Sequence, residues 1–210
     1  MDEIYHCYKD KDGVKVFLDD YAYLAQLMIK FYDITGEINY LDDAKKIVQQ
    51  TWDLFYDREN KILQKNPIKQ NDLFVPPLDI NDSNIPNGNS VFLLNCKKLE
   101  AITNDIKWQG MTKELIQSFH SFLNLKSTQM VSYIKNLDMC EELTTFTFFG
   151  DIKKINELQQ FVKKNYLKSS TLIYKEDPKE NYLVVCKNQT CSNKIKNIEE
   201  LKSVAKDYAI

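Results

Sequence analysis

Two carboxylates, Asp19 and Asp20, stand side by side at the predicted start of a helix. A carboxylate so placed can act as a general acid or base, or accept hydrogen bonds from a ligand. Adjacent helical residues project about 100° apart, so at most one of the two faces a given substrate atom. The same residues at the same place also cap free N–H groups and oppose the helix dipole, and this capping reading stands beside the catalytic one. Tyr21 follows directly. Its ring and hydroxyl suit a cleft wall as well as a core with a satisfied hydroxyl, and Tyr23 reads as core. Further along, Pro86-Asn87-Gly88-Asn89-Ser90 leads into a predicted helix. Gly88 permits positive φ there. The exposed N–H groups of such a start can hold an anion or a sugar hydroxyl, while Asn89 or Ser90 can serve simply as the N-cap.

Cys186 and Cys191, with four residues between them, are the third candidate. They suit a disulfide, a thiol switch or half of a metal site, and Cys186 at a strand end also suits a buried, inert thiol. Zinc needs four ligands, and His6 and His120 are the two histidines of the chain. No metal and no cofactor are therefore expected. Cys96 and Cys140 lie on apolar helical patterns and read as core. His120 has no nucleophile motif beside it. Gly150-Asp151 lacks the remaining glycines of a dinucleotide-binding turn.

These residues need elements to hold them. The chain has 210 residues, 43% hydrophobic and 28% charged, which fits one to two globular domains and excludes a disordered tail or a coiled coil. With 28 basic and 30 acidic residues there is no positive excess for phosphates, so no nucleic acid is expected as partner. No apolar run reaches the length of a bilayer span, so no membrane is expected either. No signal-peptide pattern is visible at Met1–His6, and five cysteines do not make a disulfide scaffold. A cytoplasmic, reducing setting is the expectation.

Apolar spacing predicts a helix over about 19–34, apolar around most of its circumference and so enclosed on several sides, and ended by Thr35-Gly36. A second helix follows on Leu41, Ala44, Ile47, Val48, Thr51, Trp52 and Phe55, which makes a helical hairpin. Residues 56–89, with four prolines, read as a long irregular connection. Three more helices are expected: one from Asn89 or Ser90, one over about 112–125 and one over about 128–140. The period then changes. Thr145–Phe149, Thr171–Tyr174 and Tyr182–Cys186 read as strands, with helices on Ile155–Val162 and Ile198–Ala205. The expected fold is mainly α over residues 1–140, followed by a small α/β unit over 141–210.

Three segments, in order, carry a resemblance: Phe17-Leu-Asp-Asp-Tyr-Ala-Tyr-Leu24, Ile85-Pro-Asn-Gly-Asn-Ser90 and Cys186-Lys-Asn-Gln-Thr-Cys191. Together they resemble motifs of the spermatogenesis-associated thioredoxin-domain proteins, over nearly the whole chain. Val16 stands where that family usually has Gly, and Asn87 where it usually has Ser. The resemblance implies a thioredoxin-like domain followed by an α/α toroid similar to six-hairpin glycosidases and sugar 2-epimerases. This chain resembles the C-terminal third, without the thioredoxin-like domain or the first helical hairpins. The 1–140 region is then a partial α/α toroid of six-hairpin type, whose open side would expose apolar helix faces.

What the resemblance implies about function follows two lines. In one, the chain is part of a carbohydrate-binding or carbohydrate-processing toroid. Asp19 or Asp20 then supplies acid–base chemistry or hydrogen bonds, Tyr21 and Asn87, Gly88, Asn89 and Ser90 shape the cleft, and a sugar-like small molecule is the ligand. In the other, it is a non-catalytic interaction module. Its partner is then a thioredoxin-like redox domain or the absent toroid segment, and Cys186 and Cys191 are a redox pair. A shared fold does not choose between the two.

Overall fold

The computed structural model describes Ile4, His6 and residues 16–68, 80–167, 170–208 and 210. The fold is mainly α with a small α/β part. Residues up to Lys30 with Ile38–Asp138 form one compact unit, and Phe31–Glu37 with Met139–Ile210 form the other.

In the first unit, α1 (Leu18–Thr35) buries Leu18, Tyr21, Ala22, Ala25 and Ile29 along one stripe. The expectation of a helix enclosed on several sides needs correction, because Leu27, Phe31 and Ile34 are exposed. Near-continuous apolar residues cannot themselves choose a face; the packing partners do. Gly36, at φ 75°, ends the helix by donating its N–H to the Tyr32 carbonyl at 2.8 Å. Helix α2 (Ile38–Phe55) is strongly amphipathic and buries Leu41, Ala44, Ile47, Val48, Thr51 and Phe55.

The connection over 56–89 is not wholly irregular. It opens with a two-stranded hairpin, β1 (Tyr56–Asp57) and β2 (Ile62–Leu63), whose Ile62 and Leu63 are fully buried. The Asp57 carboxylate shapes the turn by accepting from the Glu59 and Asn60 N–H groups and from the Asn60 and Gln64 amides. Strands of two residues are too short to show an alternating pattern, which is why the sequence reads as loop. Pro76 and Pro77 lie outside the described residues.

Helix α3 (Gly88–Thr103) is buried from Gly88 through Cys96, the mark of a central helix. Asn104, left-handed at φ 55°, closes it. Helix α4 (Ile106–Lys126) starts one and a half turns earlier than expected, because Asp105 caps it by accepting from Lys107 N–H at 2.9 Å. Gly110 is carried inside this helix. A 3-10 turn (Ser127–Gln129) leads to α5 (Val131–Glu141).

The second unit is a four-stranded sheet with two helices. Its strands are β3 (Thr144–Phe149), β4 (Ser170–Lys175), β5 (Tyr182–Lys187) and β6 (Thr190–Cys191), in the order β4-β3-β5-β6. The β3–β4 pair is parallel, as a connection through α6 (Asn156–Asn165) requires; the others are antiparallel. Phe146, Phe148, Leu172, Leu183 and Val185 pack with Leu158 and Val162 of α6 and Leu201 of α7 (Ile198–Asp207). Burial of this shared apolar face stabilises the unit, by about 25 cal/mol per Å² of apolar area removed from water.

Strand β4 lies at the sheet edge, and Tyr32 and Asp33 meet it there. The Leu172 N–H donates to Asp33 Oδ1 at 2.8 Å, and Thr171 Oγ1 donates to the same oxygen at 2.8 Å. The Tyr174 N–H reaches the Tyr32 hydroxyl, and the Tyr174 hydroxyl donates to the Asp33 carbonyl at 2.7 Å. Edge donors left open would invite pairing with another chain.

Candidate functional site

The first two motifs of the sequence meet in the first unit. A Cβ added to Gly88 would lie 2.7 Å from Leu18 Cγ and 2.8 Å from Asp19 Oδ1. The first turns of α1 and α3 therefore touch at a point where only glycine fits. Tyr23 adds a second tie, donating its hydroxyl to the Pro86 carbonyl at 3.0 Å. That makes Tyr23 a half-buried strut rather than a core residue. A third comes from Asn95, whose buried amide donates to the Ala22 carbonyl at 2.8 Å.

The two aspartates part company here. Asp20 turns back on its own helix start. Its Oδ2 accepts the Phe17 N–H at 2.8 Å while the Phe17 carbonyl accepts the Asp20 N–H at 3.1 Å, a reciprocal capping arrangement. His6 Nδ1 lies 2.9 Å from both Asp20 oxygens, and its ring meets Phe17 edge-on. Asp19 is directed to Gly88 instead. Tyr21 is buried, with its ring edge against Phe55 at 5.4 Å between centroids.

The N-cap of α3 is Asn87, not Asn89 or Ser90. Its Oδ1 accepts the Ser90 N–H at 2.9 Å, so the helix begins two residues sooner than expected. This releases the next two side chains for longer-range work. Asn89 Oδ1 accepts the Leu63 N–H at 3.0 Å and its Nδ2 donates to the Leu63 carbonyl at 2.7 Å, so one buried side chain completes the outer edge of β2. Ser90 Oγ is 2.7 Å from Ser132 Oγ and donates to the Asn87 carbonyl at 3.1 Å.

Beneath the turn lies a carboxylate that sequence reasoning passed over. Asp82 accepts the Ser132 hydroxyl, the Ser132 N–H at 2.7 Å, and the Asn87 N–H and amide at 3.0 Å each. Burial works to raise its pKa, but these four donors outweigh it and hold the carboxyl below the usual carboxylate range. Asn136 donates to the Ser90 carbonyl at 2.9 Å. The network thus fastens the starts of α3 and α5 together. An Asx-turn reading of Asp82-Ser-Asn was the one local signal available, and it would have missed Ser132, fifty residues on.

Nearby, the Tyr56 hydroxyl donates to Glu114, and burial with that carboxylate pushes the Tyr56 pKa up. Tyr56 stacks on Trp52 with centroids 3.8 Å apart, and Phe92 lies on Trp52 at 6.2 Å. The rings face one another.

In the second unit, Cys186 and Cys191 are joined by a disulfide across β5 and β6. Cys186 is half-exposed, which corrects its reading as a buried, inert thiol, and Cys191 is exposed. Cys96 and Cys140 are buried. Gly150, at φ 93°, and Asp151 make the turn after β3, where Asp151 accepts the Lys153 N–H at 2.9 Å.

Among the described residues, no three His, Cys, Asp or Glu side chains gather as a metal site would need. No described helix is long and apolar enough to cross a membrane. No protein-family model and no curated protein matches the chain.

Proposed function

We propose that this chain is a non-catalytic interaction module, the C-terminal part of a thioredoxin-domain-containing, six-hairpin-glycosidase-like protein, and that it serves a thioredoxin-like redox domain. The observation that carries this reading is the fate of the Asn87–Ser90 turn. All four residues are buried, and the side chains of Asn87, Asn89 and Ser90 cap α3, complete β2 and join the Asp82 network. A sugar cleft needs polar groups turned toward the ligand; these are turned toward the fold. Asp20 likewise spends its carboxylate on Phe17 and His6.

Exposed apolar side chains agree with a role in contact. On α5, Val131 and Ile134 are three residues apart and so lie on one face, both exposed. Thermal melts of the purified chain test the reading. Added thioredoxin is expected to raise Tm in proportion to ln(1 + [L]/Kd), and glucose, mannose, N-acetylglucosamine or their oligosaccharides to leave it unchanged. A sugar that raises Tm, with the shift abolished by Asp20→Asn, would replace this reading with carbohydrate binding.

A further inference from the structure

We infer that Cys186 and Cys191 form a reversible thiol–disulfide exchange site whose reactant is a protein dithiol. The inference deepens the reading above by naming the bond on which a thioredoxin-like partner would act.

Geometry comes first. Asn188 and Gln189 connect β5 to β6 in two left-handed residues, at φ 50° and 63°, the form of a tight type I′ turn. Lys187 and Thr190 flank the turn, and Cys186 and Cys191 are the next opposed pair. The pair after them is hydrogen-bonded, with the Ser192 N–H donating to the Val185 carbonyl at 2.8 Å. The cysteines therefore occupy a non-hydrogen-bonded position, where opposed side chains are closest. Dithiol and disulfide forms fit the same backbone register.

Access follows from alternation. Leu183 and Val185 point into the core, so Cys186, between Val185 and Lys187, points away from it. Cys191 lies on the edge strand β6 and is exposed, so its sulfur is the one an incoming thiolate reaches.

The hairpin does not hang on the sulfur bond. Besides the Ser192–Val185 bond, the Val185 N–H donates to Ser192 Oγ at 3.1 Å, and Leu183 and Ile195 exchange two backbone bonds of 2.9 Å each. A disulfide that closes so short a loop also restricts little of the unfolded chain. Opening it leaves the strand pairing and the apolar face in place, which is what repeated opening and closing requires.

The exchange balances as follows. A partner thiolate attacks Cys191 Sγ. A mixed disulfide forms, the Cys186–Cys191 bond breaks, and the electron pair leaves on Cys186 Sγ, which takes a proton from water. The partner's second thiolate then attacks its own first sulfur and releases the Cys191 thiolate, which is protonated in turn. The chain gains two electrons and two protons, and the partner dithiol becomes a disulfide.

The test uses the oxidised full chain, native, with thioredoxin and, separately, a thioredoxin variant that keeps only its attacking cysteine. With thiols already reactive in the oxidised chain blocked beforehand, so that Cys7 does not contribute, alkylation after the first reaction is expected to label Cys186 and Cys191 and leave Cys96 and Cys140 unlabelled until denaturant is added. Far-UV circular dichroism should stay unchanged. The single-cysteine variant should be trapped on Cys191. The double variant Cys186→Ser/Cys191→Ser should keep a cooperative melt close to that of the reduced chain. Reduction that requires denaturant, or a double variant that no longer folds, would make the bond a structural staple and overturn the inference. Thioredoxin that raises Tm without reducing the bond would overturn it too, yet leave the interaction reading standing.

Discussion

Asn89 shows how one side chain can do the work of a strand. Leu63 is fully buried, and its N–H and carbonyl both end on the Asn89 amide. Truncation to alanine leaves two buried backbone groups without partners, each costing about 1–3 kcal/mol. Asn89→Ala is therefore expected to lower stability by roughly 2–4 kcal/mol, read as a fall in the urea midpoint. Asn89→Asp keeps the acceptor for Leu63 N–H but loses the donor for its carbonyl, so its loss should shrink in mild acid, where the carboxyl can donate. Asp82 behaves oppositely. Its folded pKa is lowered, by the Ser132 and Asn87 donors against the effect of burial. A lowered carboxylate pKa adds stability above the unfolded value of about 4, which is lost as pH falls through the folded value below it. Denaturant midpoints measured from pH 6 downward should fall in that acid range, and the fall should be shallower in Asp82→Asn. The sequence displayed the Asn87–Ser90 turn plainly, because turn chemistry is local. It concealed Leu63, Asp82 and Ser132, because a buried amide or carboxylate takes its partners from any distance along the chain.

At the level of elements, the junction of α1 and α3 explains why two separate motifs belong together. Gly88 admits Leu18 and Asp19 because it has no Cβ. Gly88→Ala forces atoms at 2.7 and 2.8 Å to move, and overpacking of this kind costs about 1–3 kcal/mol. Leu18→Ala removes a fully buried side chain and costs about 2–5 kcal/mol by itself. In the double variant the new methyl enters space that Leu18 vacates. The combined loss should fall short of the sum by about 1 kcal/mol or more, a coupling that chemical denaturation of the four proteins measures. Additive losses would mean that the two helix starts do not press on each other. Helix existence and type were legible here, since α2, α6 and α7 carry strong apolar faces. Ends were less so. The start of α4 was hidden by Gly110, and that of α3 by three closely spaced polar residues able to cap it, Asn87, Asn89 and Ser90.

On the scale of the whole molecule, net charge sets how the exposed apolar side chains behave. The formal charge is −2 at neutral pH and the pI is about 5.8, so mild acid removes the little repulsion that keeps copies apart. Ile106 is 79% exposed and Val131 63%, well above what core-forming residues usually show. Static light scattering across pH 5 to 7 should peak near the pI and fall on either side. Ile106→Glu with Val131→Glu adds two negative charges while removing both apolar contacts, so the peak should shrink and move to lower pH. Because both side chains face solvent, the melting transition should shift by no more than about 0.5 kcal/mol equivalent. A scattering peak unmoved by these changes would place self-association elsewhere on the surface. A peak that vanishes would place the self-association of the chain at Ile106, Val131 or both, the exposed first residues of α4 and α5.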